Sequence, residues 1–189
     1  MEDKAIEIIQ LMLTRRGLRA DLERIAQTDL DSANVYTIGP CLVIFSQKQR
    51  NLTEKDITTL LTYRSKVESD EKPLIIVTMA SSSENVVRYI KTLSTKKVQV
   101  FHIKQLQFDL TTHRYAMPHR ILKEDERNAI LEKYHVTKPE DQLPWIDSQD
   151  AMVKWIGAVP GDIIEVIRHS DTAGRIPYYR YCVEDVNVA

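Results

Sequence analysis

The apolar positions lay out the first half of the chain as helices alternating with strands. In residues 4–16, Ile6, Ile9 and Leu13 recur at helical spacing, Ile8 and Met12 widen the stripe, and Gly17 follows the run. That spacing predicts an amphipathic helix ending at the glycine. A second short helix is expected around Leu22 and Ile25. Val35–Ile38 reads as a strand, Gly39-Pro40 as a turn and Cys41–Phe45 as a buried strand. Thr53 is spaced to cap a helix through Asp56, and Ile57, Leu60, Leu61, Arg64 and Val67 continue that helix with one apolar side. Leu74-Ile75-Ile76-Val77, opened by Pro73, is an unbroken apolar run of strand length, as expected of a strand covered on both faces. Ser81 and Glu84 have the spacing of a capping box for a helix over about 83–94, and Val98–Ile103 is the next strand. Strand, strand, helix, strand, helix, strand is an α/β order, a small sheet with helices against it.

The texture changes after Asp109. Glu124–Tyr134 is predicted as a helix with Ile130, Leu131 and Tyr134 on one side. Pro139 and Pro144 interrupt the chain, and Asp147 or Ser148 caps a brief helix to Trp155 that Gly157 ends. Pro160-Gly161-Asp162 forms a tight turn, and Ile163–Arg168 pairs with Ile176–Val183 as an antiparallel hairpin. A boundary near Thr112 gives two domains, 1–112 and 113–189.

Composition narrows the class. The chain has 189 residues, with 26 basic against 27 acidic side chains, 43% apolar and 28% charged residues, which is ordinary globular usage. No apolar run approaches the roughly 18–20 residues of a membrane span, and the acidic start MEDKAIEIIQ lacks a secretory pattern, so a soluble protein is expected. Cys41 and Cys182 lie far apart, which excludes a disulfide framework and favours a reducing compartment. Near-zero net charge argues against a strongly basic nucleic-acid binder acting alone and leaves local basic patches open.

Most catalytic motifs are missing. The five glycines are scattered and form no phosphate loop, the five histidines show no HExxH pairing, and no GxSxG elbow occurs. A zinc site would have to be assembled from distant residues. Ser81-Ser82-Ser83 before a helix reads as a cap rather than a nucleophile. A metal-dependent nuclease needs a carboxylate and an acid-x-Lys element on adjacent strands. The strand end Val43-Ile44-Phe45-Ser46-Gln47-Lys48 has the lysine without the acid.

The C-terminal third is the distinctive part. It runs Gln142-Leu143-Pro144-Trp145-Ile146, Asp150 to Trp155, Gly157, Gly161-Asp162, Ile167-Arg168-His169-Ser170-Asp171-Thr172-Ala173-Gly174-Arg175 and Tyr179-Arg180, with Pro118 and Tyr134 also in place. This succession resembles the C-terminal domain of the fifth-largest subunit shared by eukaryotic nuclear RNA polymerases, a family with a shorter archaeal counterpart. The family pattern is roughly QLPRI, DPVARYxG, a glycine turn, RxSETAGR and YR. Phe101 to His113 resembles the family's interdomain junction, and Pro73–Val77 with its following helix falls where the eukaryotic jaw domain has a strand and helix. Trp145 for Arg, His169 for Pro, Asp171 for Glu and Ala151–Trp155 for PVARY depart from the pattern, as in a specialised paralogue or the polymerase of a large DNA virus.

The resemblance implies an α/β N-terminal jaw domain, a small mixed sheet with flanking helices like a nuclease without its active site, and a small α+β C-terminal assembly domain. It implies a non-catalytic subunit with no catalytic residue, metal or cofactor of its own, the polymerase Mg²⁺ being held by the largest subunit. The partners implied are the largest subunit, other polymerase subunits and the backbone of downstream duplex DNA, read without sequence preference. Membranes and small-molecule substrates are not among them. The implied location is the nucleus, or a cytoplasmic virus factory or virion for a viral polymerase.

Trp145, Trp155, Arg168, Thr172, Gly174, Arg175, Tyr179 and Arg180 are the candidates for subunit docking. Large aromatics and arginines are the residue types that anchor interfaces. The family has a Thr-Pro-Ser loop near the DNA backbone where this chain has Ser82-Ser83-Glu84. Ser81, Ser82, Ser83, Lys96 and Lys97 are the DNA-proximal candidates, and Arg15, Arg16 and Arg19 are further ones. Rival readings are a metal-dependent nuclease-like enzyme and a free-standing regulator that binds the polymerase reversibly.

Overall fold

Strands built almost wholly from apolar residues must be covered on both faces, and two such strands organise the first half of the chain. The computed structural model describes residues 1–25, 30, 32–67, 72–81, 83–92, 97–170, 172 and 174–186. These fall into two units, Met1–Asp109 and Leu110–Ala189, divided ahead of the Thr112 border read from sequence.

The first unit opens with helix α1 (Glu2–Arg15), which buries Ala5, Ile6, Ile8, Ile9, Met12 and Leu13. It ends in a Schellman motif, with Gly17 at φ 75° and the Leu18 amide donating to the Leu13 carbonyl at 3.0 Å. Strands β1 (Leu22–Ile25), β2 (Ala33–Ile38) and β3 (Cys41–Ser46) form an antiparallel meander. Helix α2 (Glu54–Val67), strand β4 (Leu74–Thr78), helix α3 (Glu84–Thr92) and strand β5 (Val98–His102) follow, with β3, β4 and β5 parallel. The sheet order is β1-β2-β3-β4-β5, and every residue of β3 and β4 is buried.

Strand alternation divides the core. Leu42, Ile44, Leu74, Ile76, Val98 and Val100 meet Ile57, Leu60 and Tyr63 of α2 and Val86 and Ile90 of α3. The intervening residues Cys41, Val43 and Phe45 point to the opposite face. There, Asn34, Tyr36 and Gln47 donate to the Glu2 carboxylate of α1, and Arg16, just past the helix end, donates to Gln99.

Two expectations need correcting in this unit. The segment around Leu22 and Ile25 is edge strand β1, not a helix, with Leu22 opposite Ile38 and Ile25 opposite Val35. Four residues are too few to repay helix nucleation, whereas pairing with β2 satisfies the same backbone groups. Helix α3 starts at Glu84, and the Val87 amide donates to the Ser83 carbonyl at 2.9 Å. Glu84 is therefore the first helical residue and cannot complete a capping box with Ser81. Its 90% exposed side chain lies 3.8 Å from Arg88 instead.

The second unit contains β6 (His119–Ile121), α4 (Glu124–Lys133), the short α5 (Pro139–Gln142), β7 (Trp145–Asp147), α6 (Ala151–Ile156), β8 (Ile163–Ser170) and β9 (Gly174–Val183). The sheet order is β6-β8-β9-β7, with β7 parallel to β9 and the other pairs antiparallel. Ile146, Val153, Ala158, Ile164, Val166 and Cys182 make its core. Asp150, not Asp147 or Ser148, caps α6, accepting the Met152 amide at 2.8 Å, and Gly157 closes the helix at φ 78°. Strands β6 and β7 are three residues each, too short for an alternation to show in sequence.

Candidate docking surface and serine loop

The β8–β9 hairpin outgrows its own sheet. Strand β6 pairs with β8 only over Ile164–Val166, and β7 pairs with β9 only over Tyr181–Val183. The last contacts toward the tip are the Ile167 amide donating to the Pro118 carbonyl at 3.0 Å and the Tyr181 amide donating to the Pro144 carbonyl at 2.9 Å. Past these contacts the ribbon has no flanking strand among the described residues, and Gly174, Arg175, Ile176 and Pro177 are all exposed. Because Tyr181 points its amide outward, the two-residue period points those of Arg175 and Tyr179 outward as well. Pro177 falls on the same edge and has no N–H, which blunts the edge as an acceptor of another strand.

The docking candidates divide by position. Arg175 and Thr172 are exposed at the tip, where the Ser170 and Thr172 hydroxyls lie 3.2 Å apart. Gly174 sits at φ 70° with open space where a Cβ would be. Asp171 and Ala173 lie outside the described residues. Arg168 and Arg180 are half-buried over the Tyr178 ring, and Arg180 donates to the Trp145 carbonyl at 2.9 Å. Trp145 is half-buried, with its indole N–H donating to the Glu140 carbonyl. Tyr179 donates to Glu165 at 3.3 Å and meets the ring of Tyr134, itself 52% exposed. Burial, then the nearby Glu165 carboxylate, pushes the Tyr179 phenol up.

Trp155 does not belong to this surface. It is 3% exposed on α6, between Lys154 and Ile156, and presents nothing to a partner in this structure. The apolar indole fills the interior of a small unit, which is why composition alone misread it. Tyr178 and Tyr181 are also aromatics of the type that anchors interfaces, and the place of Tyr178 beside two arginines becomes visible only once the register is known.

The serine loop lies in the first unit. Ser81 and Ser83 are exposed just before α3, and Lys97 is exposed at φ 56° just before β5. Ser82 and Lys96 lie outside the described residues. Of the further basic candidates, Arg15 pairs with Asp109 at 2.6 Å. Arg16 lies at 3.0 Å from Gln99, its guanidinium lowered to about 10 by burial against the influence of Cys41. Both are engaged internally, whereas Arg19 is exposed. Lys48, the lysine weighed for a nuclease element, instead binds Asp56 at 2.6 Å.

The hairpin thus carries arginines and tyrosines out past its flanking strands. Comparison with known proteins gives it a family. The sequence profile described as RNA polymerase Rpb5, C-terminal domain, matches residues 108–182. The DNA-directed RNA polymerase subunit Rpo5 of Pyrococcus abyssi is 51% identical over 79 residues, covering 42% of this chain and 94% of the relative. The subunits of the same name from Thermococcus onnurineus and Methanosarcina mazei are 46% and 42% identical, covering 94% and 97% of those proteins. The chain belongs to this RNA polymerase subunit family.

Proposed function

We propose that this chain is a non-catalytic subunit of a multisubunit DNA-directed RNA polymerase. In this reading its second unit docks on the largest subunit and its first unit forms part of the lower jaw near downstream DNA. The polymerase role rests on the family, since the second unit corresponds to almost the whole length of the relatives it matches. The observation that supports docking is the hairpin itself, whose tip stands clear of β6 and β7 and exposes Arg175 and Ile176.

The first unit is read as a nuclease-like fold put to structural use. At its strand end Ser46-Gln47-Lys48 the acid needed for metal-dependent cleavage is missing. The exposed Ser81, Ser83, Lys97 and Arg19 are its candidates for contact with the DNA backbone, together with Ser82 and Lys96. Such contacts are independent of base sequence and weaken with salt. The location that goes with this function is the nucleus, or a virus factory or virion for a viral enzyme.

The test is affinity for the cognate largest subunit. Arg175→Ala and Trp145→Ala weaken binding if the reading is right, and unchanged affinity in both refutes docking through this hairpin. For the jaw, a downstream footprint unaltered by combined substitution of Ser82, Ser83, Lys96 and Lys97 refutes the DNA contact.

A further inference from the structure

One face of the β8–β9 hairpin continues beyond the core of its unit as a cluster of charge and aromatic surface. From base to tip, Ile164 lies opposite Arg180, Val166 opposite Tyr178, and Arg168 opposite Ile176. Residues two apart on a strand share a face, so the Tyr178 ring stands between Arg180 on the base side and Arg168 on the tip side. The Arg168 guanidinium carbon is 4.4 Å from the ring centroid and that of Arg180 is 5.4 Å away. Such stacking holds a guanidinium in place and leaves its N–H edge free to bind.

Neither cation is neutralised by a carboxylate among the described residues. Arg180 donates to a backbone carbonyl, that of Trp145. The Arg168 Nε is buried and makes no hydrogen bond among the described residues. Glu165 and Glu126, the carboxylates of the β6–β8 side, are both taken by Arg120. Two like charges around one ring repel each other, and a single anion reaching both removes that repulsion while adding charge-assisted hydrogen bonds.

We infer that Arg168, Tyr178 and Arg180 form a clamp for one carboxylate, an aspartate or glutamate side chain of the polymerase subunit on which this unit docks. The inference rests on the docking reading above and names the chemistry of the partner at that surface. Charge favours a lone carboxylate over a phosphate backbone. Residues 110–189 hold more acidic than basic side chains, and Asp147 follows closely on Trp145, the residue that Arg180 grips. A polyanion crossing the clamp would meet those acids, whereas one side chain inserted from above does not. Ile176, 41% exposed opposite Arg168, supplies the apolar wall beside the anion.

The experiment uses the full chain and its cognate largest subunit, with affinity measured across a salt series. Arg168→Gln and Arg180→Gln are each expected to weaken binding about tenfold, as loss of a charge-assisted hydrogen bond does, and to flatten the salt dependence. Arg168→Lys keeps the charge without the planar fork and is expected to fall between wild type and the glutamine variant. Thermal melts separate these effects from unfolding. Arg180→Lys also permits carbodiimide coupling, and mass analysis of the conjugate is expected to find the new lysine joined to an aspartate or glutamate of the largest subunit. A wild-type chain that does not bind the largest subunit overturns docking and the clamp together. Wild-type binding that both glutamine variants retain overturns the clamp alone, as does a loss confined to duplex DNA.

Discussion

Arg120 on β6 donates from Nε to Glu165 on β8 at 2.6 Å, and from Nη1 to the two oxygens of Glu126 at 2.7 and 2.8 Å. Glu126 also accepts the Lys123 amide at 3.0 Å, which satisfies one free backbone donor at the start of α4. One guanidinium thus joins an edge strand, the central hairpin and a helix N-terminus. No α4 residue is fully buried, so this network, with the Tyr134–Tyr179 contact, has a large share in holding the helix.

Arg120→Met should therefore loosen α4 without disturbing the hairpin core. Glu165, 12% exposed, is left without its charged partner, which costs about 1–3 kcal/mol. A thermal melt is expected to drop by several degrees, with faster amide exchange concentrated in α4. An unchanged melt contradicts this account of the helix.

Gly39 allows no side chain. It adopts φ 54°, and a Cβ there would lie 1.9 Å from the Arg19 carbonyl oxygen, a backbone atom that cannot swing aside. Its amide also donates to the Asp21 carbonyl at 2.9 Å. Gly39→Ala combines left-handed strain with a backbone clash and should cost about 2–4 kcal/mol, read by denaturant unfolding. Gly174→Ala, at φ 70° in open space, should cost less.

Asp56 anchors the loop between β3 and α2. Burial pushes its carboxyl up, but hydrogen bonds from Lys48, from the Thr53 amide and hydroxyl and from Arg50 outweigh this and hold it well below the usual carboxylate range. A carboxyl lowered on folding stabilises the protein above its unfolded value of about 4 and loses that contribution as pH falls toward the folded value. Asp56→Asn is expected to destabilise the chain by about 1–3 kcal/mol at neutral pH. The gap between variant and wild type should narrow in unfolding curves taken below about pH 4.

The two thiols should be inert in the folded chain. Burial, then the charges of Asp162, Asp147 and Asp150, pushes the Cys182 thiol up to about 12, and burial raises Cys41 as well. Thiolate is the reactive form. Alkylation at neutral pH should leave both residues unmodified until denaturant is added, and rapid labelling of the native protein would contradict their placement.

Periodicity revealed what repeated along the chain. The stripe of α1, the unbroken runs of β3 and β4 and the hairpin all carry their pattern over five or more residues, and each was legible. Leu22–Ile25 was not, because an edge strand exposed at Leu22, Glu23 and Arg24 alike shows neither a helical nor a strand period. The serine run suggested a cap two residues early, since local spacing cannot say which serine the backbone places at the helix start. At the candidate site, residue type pointed to the arginines and tyrosines but could not sort surface from interior. Trp155 proved buried and Tyr178 proved to lie beside two arginines, and both facts depend on cross-strand register and packing rather than on residue type.

The most direct test of the central claim is the mass of the native assembly that contains this chain. Isolated from its own cells through a full-length tag and washed in high salt, the chain should be recovered in one-to-one proportion with the large polymerase subunits. Recovery as a free polypeptide, or in a complex that lacks those subunits, would contradict the account.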